Sequence, residues 1–235
     1  MDNLNKYLEM QRRQYEIDAA KWSLTNRDPV VGSYDAHNQW ADYDTLLFKD
    51  FDTTGLIAME YGCGPGRNLI RYADRFGRID GVDLAQNNII AAQKNIDHNG
   101  ITEANLYKND GSTMPMIADD TYDVVFSVIC LQHIACYDIR FSILSEIYRV
   151  LKPGGKLCFQ IGFGGRPSPH VCTPYYENGT DATGTNGWHD VAVESEDQLK
   201  GDLIDKIGFT NYKSDIAQTG PGDQHRNWIW VQVQK

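Results

Sequence analysis

In Met59–Arg67, MEYGCGPGR, three glycines alternate at Gly62, Gly64 and Gly66, just behind the carboxylate of Glu60. Glycine at every second position lets backbone pass very close to a ligand and take positive φ where needed. Pro65 stiffens the turn. The dinucleotide fingerprint does not match. It needs a third glycine where Arg67 stands, so that helix can pack closely on strand. No Gly-Lys-Ser/Thr follows, so this is not a P-loop. Glu60 offers an acceptor where a phosphate would need donors. Asp83 ends the next strand about 20 residues on, the usual place for a carboxylate gripping two ribose hydroxyls. Asp110 ends a third strand and is placed to accept from an exocyclic adenine amine. The ligand these residues describe is a phosphate-free nucleoside with a cationic group near Glu60.

Proton chemistry has fewer candidates. His133 lies just past the apolar run YDVVFSVIC, where a reacting group at the sheet edge would emerge. A neutral imidazole there can take a proton from an acceptor. His170 and His189 fall in an irregular stretch, 164–190, that also carries Tyr175, Tyr176 and Trp188. Connections longer than about 12–15 residues without secondary structure are usually lids or disordered, and the aromatics favour a lid that touches substrate. Tyr34 and His37 stand ready to close the other side.

The elements that must position these groups follow from periodicity. Residues 3–22 are rich in helix formers, with Leu4, Leu8, Tyr15 and Ala19 in partial amphipathic spacing. A short helix is expected over 39–48, and residues 1–50 form a helical cap ahead of the main domain, 51–235. From Gly55, strands alternate with helices: GLIAMEY, RNLIRYADRF, RIDGVDL, QNNIIAAQKNIDHNG, EANLYKND, YDVVFSVIC, DIRFSILSEIYRVL and KLCFQIGF. In the last, Leu157, Phe159, Ile161 and Phe163 share one face. SEDQLKGDLIDKIG reads as a helix capped by Ser195, and FTNYKSDI and NWIWVQVQ as closing strands. Such alternation implies an α/β, Rossmann-like, mostly parallel sheet with helices on both faces. Its ligands bind beyond the carboxyl ends of the strands.

EYGCGPGR, GVDLAQNNIIAAQKN, YDVVFSVICLQHI and RVLKPGGKL closely resemble the successive motifs of class I S-adenosylmethionine-dependent methyltransferases, in order and spacing, from about Gly55 to Phe163. The resemblance implies a seven-stranded sheet whose last strand is antiparallel, with S-adenosylmethionine as cofactor and S-adenosylhomocysteine as product. It places Glu60, Gly62 and Gly64 at the methionine end, Asp83 on the ribose and Leu84 against adenine. Asp110 and Gly111 fall at the adenine edge. Ser127 to Ile129 supply backbone carbonyls, with Gln132 and His133 flanking the reacting centre.

Charge and composition narrow the partners. The chain of 235 residues has 22 Lys+Arg against 32 Asp+Glu, a net −10, which repels phosphate backbones and disfavours nucleic acid. The five cysteines include no C-x-x-C pair, so neither a disulfide framework nor a zinc site is implied, and no metal is expected. There is no membrane-length apolar run and no signal-peptide pattern, so a cytoplasmic setting without a membrane partner is expected. The expected reaction is O-methylation, by in-line displacement, of a small polar acceptor that is sugar-like or hydroxylated. N-methylation of a small amine and a non-catalytic binder of the same cofactor stand as alternatives.

Overall fold

The structure, a computed structural model, describes residues 3–20, 43–164, 172–176, 190–220 and 225–235. Helix α1 spans Asn3–Ala19, and a π-helical turn covers Tyr43–Leu47. The alternating part follows as β1 (Ile57–Tyr61), α2 (Arg67–Arg71), β2 (Arg78–Asp83), α3 (Gln86–His98), β3 (Leu106–Lys108) and β4 (Tyr122–Ser127). A 3-10 turn at Leu131–His133 leads to α4 (Tyr137–Val150) and β5 (Leu151–Phe163). Beyond these lie β6 (Cys172–Pro174), β7 (Asp190–Val193), α5 (Glu196–Lys200), a π-helical continuation Gly201–Ile207, β8 (Thr210–Gln218) and β9 (Asn227–Gln234).

Strands β3-β2-β1-β4-β5 pair in parallel, β9 adds antiparallel to β5, and β8 pairs antiparallel with β9. That is the expected seven-strand frame with its reversed closing strand. Among the described residues the sheet has nine strands, because β6 and β7 pair with each other and β7 pairs with β5 at Gly162 and Phe163. A strand has only two edges. Strand β9 fills one edge of β5 from Lys156 to Phe163, and β4 fills the other up to Phe159. Strand β7 therefore takes the edge that β4 vacates and sits over the carboxyl end of β4.

Side chains alternate between the two faces as a period of two requires. Met59, Tyr61, Val125, Leu157, Phe159 and Ile161 join one core with Ile139, Ile143 and Ile147 of α4. Ala58, Val124, Phe126 and Cys158 join the other with Leu69 of α2, Ile96 of α3 and Tyr43, Leu47 and Phe48 from the N-terminal part. Phe126 lies at the centre of the second core, with the rings of Phe48 at 5.3 Å, Tyr72 at 6.0 Å and Phe76 at 6.4 Å.

Several sequence expectations shift at element ends. Helix α2 stops at Arg71, and Ser195 holds the capping position of α5 without a side-chain capping bond. Instead the Gln198 side chain accepts from the Glu194 N–H at 2.9 Å. Cys130 is half-buried, whereas Cys158 is fully buried. Within 164–190, the described residues are Gly164, the short strand β6 with Tyr175 and Tyr176, and Asp190 at the head of β7. Among the described residues no helix is long and apolar enough to cross a membrane.

Phe126→Ala removes a fully buried ring that links the N-terminal segment to the sheet. Its unfolding free energy in urea should fall by about 3–5 kcal/mol; a loss under about 1 kcal/mol would show that this cluster does not hold the two parts together.

Candidate functional site

The glycine turn leaves the carboxyl end of β1, and its backbone shows why glycine is needed. Gly62, Gly64 and Gly66 have φ of 75°, 53° and 87°, values that side chains disfavour. Gly62 is constrained twice over, since a Cβ there would lie 2.2 Å from Cys130 Sγ. Cys130 is brought across by Ile129, which holds φ at 50°. A β-branched residue rarely takes this conformation, at a cost of about 1–3 kcal/mol. Strain of this kind at the end of β4 turns the chain sharply and brings Gln132 inward, where it is 1% exposed.

Glu60 is 1% exposed. Its Oε1 accepts from Asn68 Nδ2 at 2.6 Å, while Oε2 is buried with no hydrogen-bond partner. Burial pushes its pKa up to about 8, against the opposing effects of Asn68 and the charge of Arg67. A buried acceptor left open at the sheet edge suits a ligand ammonium. No described cation pairs with it at ion-pair distance. Arg67 is itself buried, with its guanidinium over the Tyr43 ring at 5.6 Å.

Asp83 ties two loops together. Its Oδ2 accepts from Gly64 N–H at 2.9 Å, and Oδ1 accepts from Ala85 N–H at 2.8 Å and Asn88 Nδ2 at 3.0 Å. A carboxylate has about four acceptor positions, so it keeps room for one ribose hydroxyl while also serving the start of α3. Burial raises its pKa in spite of these bonds. Leu84 and Gly111 face each other: a Cβ on Gly111 would come 3.1 Å from Leu84 Cδ1 and 3.0 Å from Leu8 Cδ2 of α1.

Asp110 is placed differently from the expectation. Its carboxylate is exposed and closes its own loop, accepting from Ser112 N–H at 2.8 Å, Thr113 N–H at 2.6 Å and both hydroxyls. Ser127 donates its hydroxyl to the Tyr61 carbonyl at 2.9 Å and so joins β4 to β1. The neighbour of Asp110, Asn109, is 5% exposed and donates to the Tyr61 hydroxyl at 3.2 Å.

Helix α1 lies across this edge. Tyr7 OH accepts from Ala135 N–H at 2.6 Å, and Gln11 Nε2 donates to the His133 carbonyl at 3.0 Å. At its other end the Glu16 carboxylate accepts from the N–H groups of Gln86 at 2.6 Å and Asn87 at 2.9 Å. The capping position of α3 is Ala85, which has no acceptor, so Glu16 supplies one from α1 and favours the helix dipole. Tyr15, between these anchors, has its pKa raised by burial and by Cys130, Tyr7, Asp190 and Asp83. Its hydroxyl therefore lies within the field of the crevice.

His133 Nδ1 is 2.6 Å from Asp190 Oδ1, and its Nε2 is 3.3 Å from Gln132 Nε2. Tyr175 and Tyr176 sit elsewhere. Tyr175 is buried beneath the Arg140 guanidinium, and Tyr176 packs on Tyr137 at 4.9 Å with Lys206 over its ring. They brace the chain just after β6 against α4. Tyr34, His37, His170, Trp188 and His189 lie outside the described residues. Sequence reasoning missed Asn68, Glu16, Tyr15, Asp190 and His225. Only Asp190 left a trace, as a charge at the head of the apolar run DVAV. Among the described residues no group of three or more His, Cys, Asp or Glu is placed to hold a metal.

The sheet and the glycine turn at its edge form the class I S-adenosylmethionine-dependent methyltransferase fold. Residues 58–155 match the family model of a methyltransferase domain. Over 142 residues the chain is 31% identical to phosphoethanolamine N-methyltransferase 2 of Caenorhabditis elegans, covering 60% of this chain and 30% of that protein. It is 27% identical over 130 residues to demethylmenaquinone methyltransferase of Bacillus velezensis, covering 54% and 53%. The structure of Haemonchus contortus phosphoethanolamine N-methyltransferase 2 in complex with S-adenosyl-L-methionine aligns with a TM-score of 0.62 at 20% identity, covering 83% of this chain and 52% of that one. The chain thus spans about a third to a half of the length of these relatives.

Glu60 gives a pH signature. Its folded pKa is raised, so the folded state holds a proton between about pH 4.5 and 8 that the unfolded chain releases. The stability this contributes to the ligand-free protein is present below pH 4.5 and is lost as pH rises through 8. An ammonium ligand needs the ionised form, so binding S-adenosylhomocysteine at pH 7 should release about one proton. Calorimetry in buffers of different ionisation enthalpy measures this; Glu60→Gln should abolish the release, and an equal release from that variant would refute the assignment.

Proposed function

We propose that this chain transfers methyl groups from S-adenosylmethionine to the nitrogen of a small polar amine of the phosphoethanolamine class. The observation that carries this reading is the 142-residue likeness to a phosphoethanolamine N-methyltransferase. It moves the acceptor from the hydroxyl favoured by the sequence alone to an amine.

The cofactor fits the residues present: Glu60 Oε2 is an orphaned buried acceptor at the carboxyl end of β1. Glu60, the glycine turn and Asp83 would hold the amino-acid and ribose ends, with Leu84 and Gly111 lining the adenine. S-adenosylmethionine, when bound, supplies a methyl group activated by positively charged sulfur. The chain's own residues then orient the acceptor and manage its proton. An ammonium has no lone pair and cannot attack until it loses a proton, and His133 at the end of β4 is placed to take it. Holding donor and acceptor in line at near-attack distance is the larger part of the work. We read residues 1–50 as a helical cap over this centre, supported by the α1 contacts at Ala135, His133 and Gln86, and 164–190 as a lid on the opposite side.

Labelled S-adenosylmethionine should methylate phosphoethanolamine or ethanolamine and leave sugars and phenols unlabelled; label on hydroxyl acceptors alone would overturn the nitrogen reading. Asp83→Ala should weaken S-adenosylhomocysteine binding at least about tenfold, through loss of a charge-assisted ribose contact and of the tie to Gly64. Unchanged affinity by calorimetry would show that the ribose lies elsewhere.

A further inference from the structure

Strand β7 lies outside the seven-strand frame, and what it brings to the sheet edge is a carboxylate. Asp190, its first residue, is 3% exposed and reaches two imidazoles from opposite oxygens. Oδ1 is 2.6 Å from His133 Nδ1, and Oδ2 is 3.1 Å from Nε2 of His225. His225 is 2% exposed and packs on Trp228 at 4.5 Å. Its ring occupies space that only a glycine leaves open, since a Cβ on Gly162 of β5 would lie 2.0 Å from His225 Nδ1. Three separate segments are thus built around one buried carboxylate.

An ionised carboxylate only accepts hydrogen bonds. Burial pushes the Asp190 pKa up, but the bonds from His133 and His225 outweigh it and hold it down at about 2. Each ring nitrogen facing Asp190 therefore carries a hydrogen. For neutral His133 this fixes the Nδ1–H tautomer, with the lone pair on Nε2, on the side of Gln132.

We propose that Asp190 is the positioning residue for His133: it sets the tautomer and ring plane that present Nε2 as the proton acceptor, while His225 anchors its second oxygen. The inference rests on the reading of this site as an amine methyltransferase. Nε2 takes one proton from the acceptor ammonium, and the freed nitrogen pair forms the new N–C bond as the methyl's C–S bond breaks and its electron pair goes to sulfur. His133, now an imidazolium held by Asp190, returns the proton to solvent.

Long-range ¹⁵N–¹H spectra of histidine-labelled protein read the tautomer directly. Wild-type His133 should be Nδ1–H, and in Asp190→Asn, whose amide can donate, it should shift to Nε2–H. With phosphoethanolamine as acceptor, kcat of the variant should fall about 10²–10⁴-fold, as when a histidine base loses its orienting aspartate. Its KM and S-adenosylhomocysteine affinity should stay within about threefold, showing that the fold is intact. A wild-type His133 in the Nε2–H form, an unmoved tautomer in the variant, or an unchanged kcat would each overturn the proposal. If the variant loses S-adenosylhomocysteine binding through misfolding, the wild-type tautomer still decides. If wild type does not methylate phosphoethanolamine, the substrate reading fails, and the spectra judge the role of Asp190 separately.

Discussion

One buried carboxylate, Asp83, holds the crevice together. Its two oxygens take the Gly64 N–H from the glycine turn and the Ala85 N–H and Asn88 amide from the start of α3. Burying a charge is costly unless hydrogen bonds replace water, and here the donors come from the two loops that must stay in register for a nucleoside to fit between them. The left-handed glycines make this possible, since a side chain at Gly64 would resist the φ that points its N–H at Asp83. The same loop delivers Asn68 to Glu60, so the open acceptor oxygen at Oε2 also depends on that closure.

Around this centre the protein adds parts that the minimal sheet lacks. Helix α1 reaches from the 3-10 turn at the end of β4 to the first turn of α3, and it caps α3 where Ala85 cannot. Strand β7 occupies the edge of β5 beyond the end of β4 and places Asp190 on His133. Arg140, 1% exposed, donates to the carbonyls of Ile134 and Tyr175 and so ties the β6 end to the segment after His133. The added elements converge on the turn that carries His133, so that turn is held from several sides while the glycine turn is held by the core sheet.

Much of this was legible in order. Alternation put Leu157, Phe159 and Ile161 on one face, and the structure places all three in one core. That Glu60, the glycine turn, Asp83 and Leu84 stand together at the sheet edge could be read because the signal is local: each lies within a few residues of a strand end, and a parallel sheet brings strand ends to one edge. The reading weakened where side chains find nearer partners. Asp110 looks like a ligand by position, but the serine and threonine that follow offer four donors at no cost in chain closure, and they take the carboxylate.

By itself the sequence determined the alternation of strands and helices from β1 to β5 and the backbone freedom of the glycine turn, because periodicity and glycine spacing are short-range properties. Only the tertiary structure decided what surrounds His133. Asp190 lies 57 residues away and His225 another 35 beyond Asp190, on segments whose meeting depends on which edge of β5 each strand takes. Edge choice follows from where β4 ends and β9 begins, a matter of sheet register that no local pattern encodes.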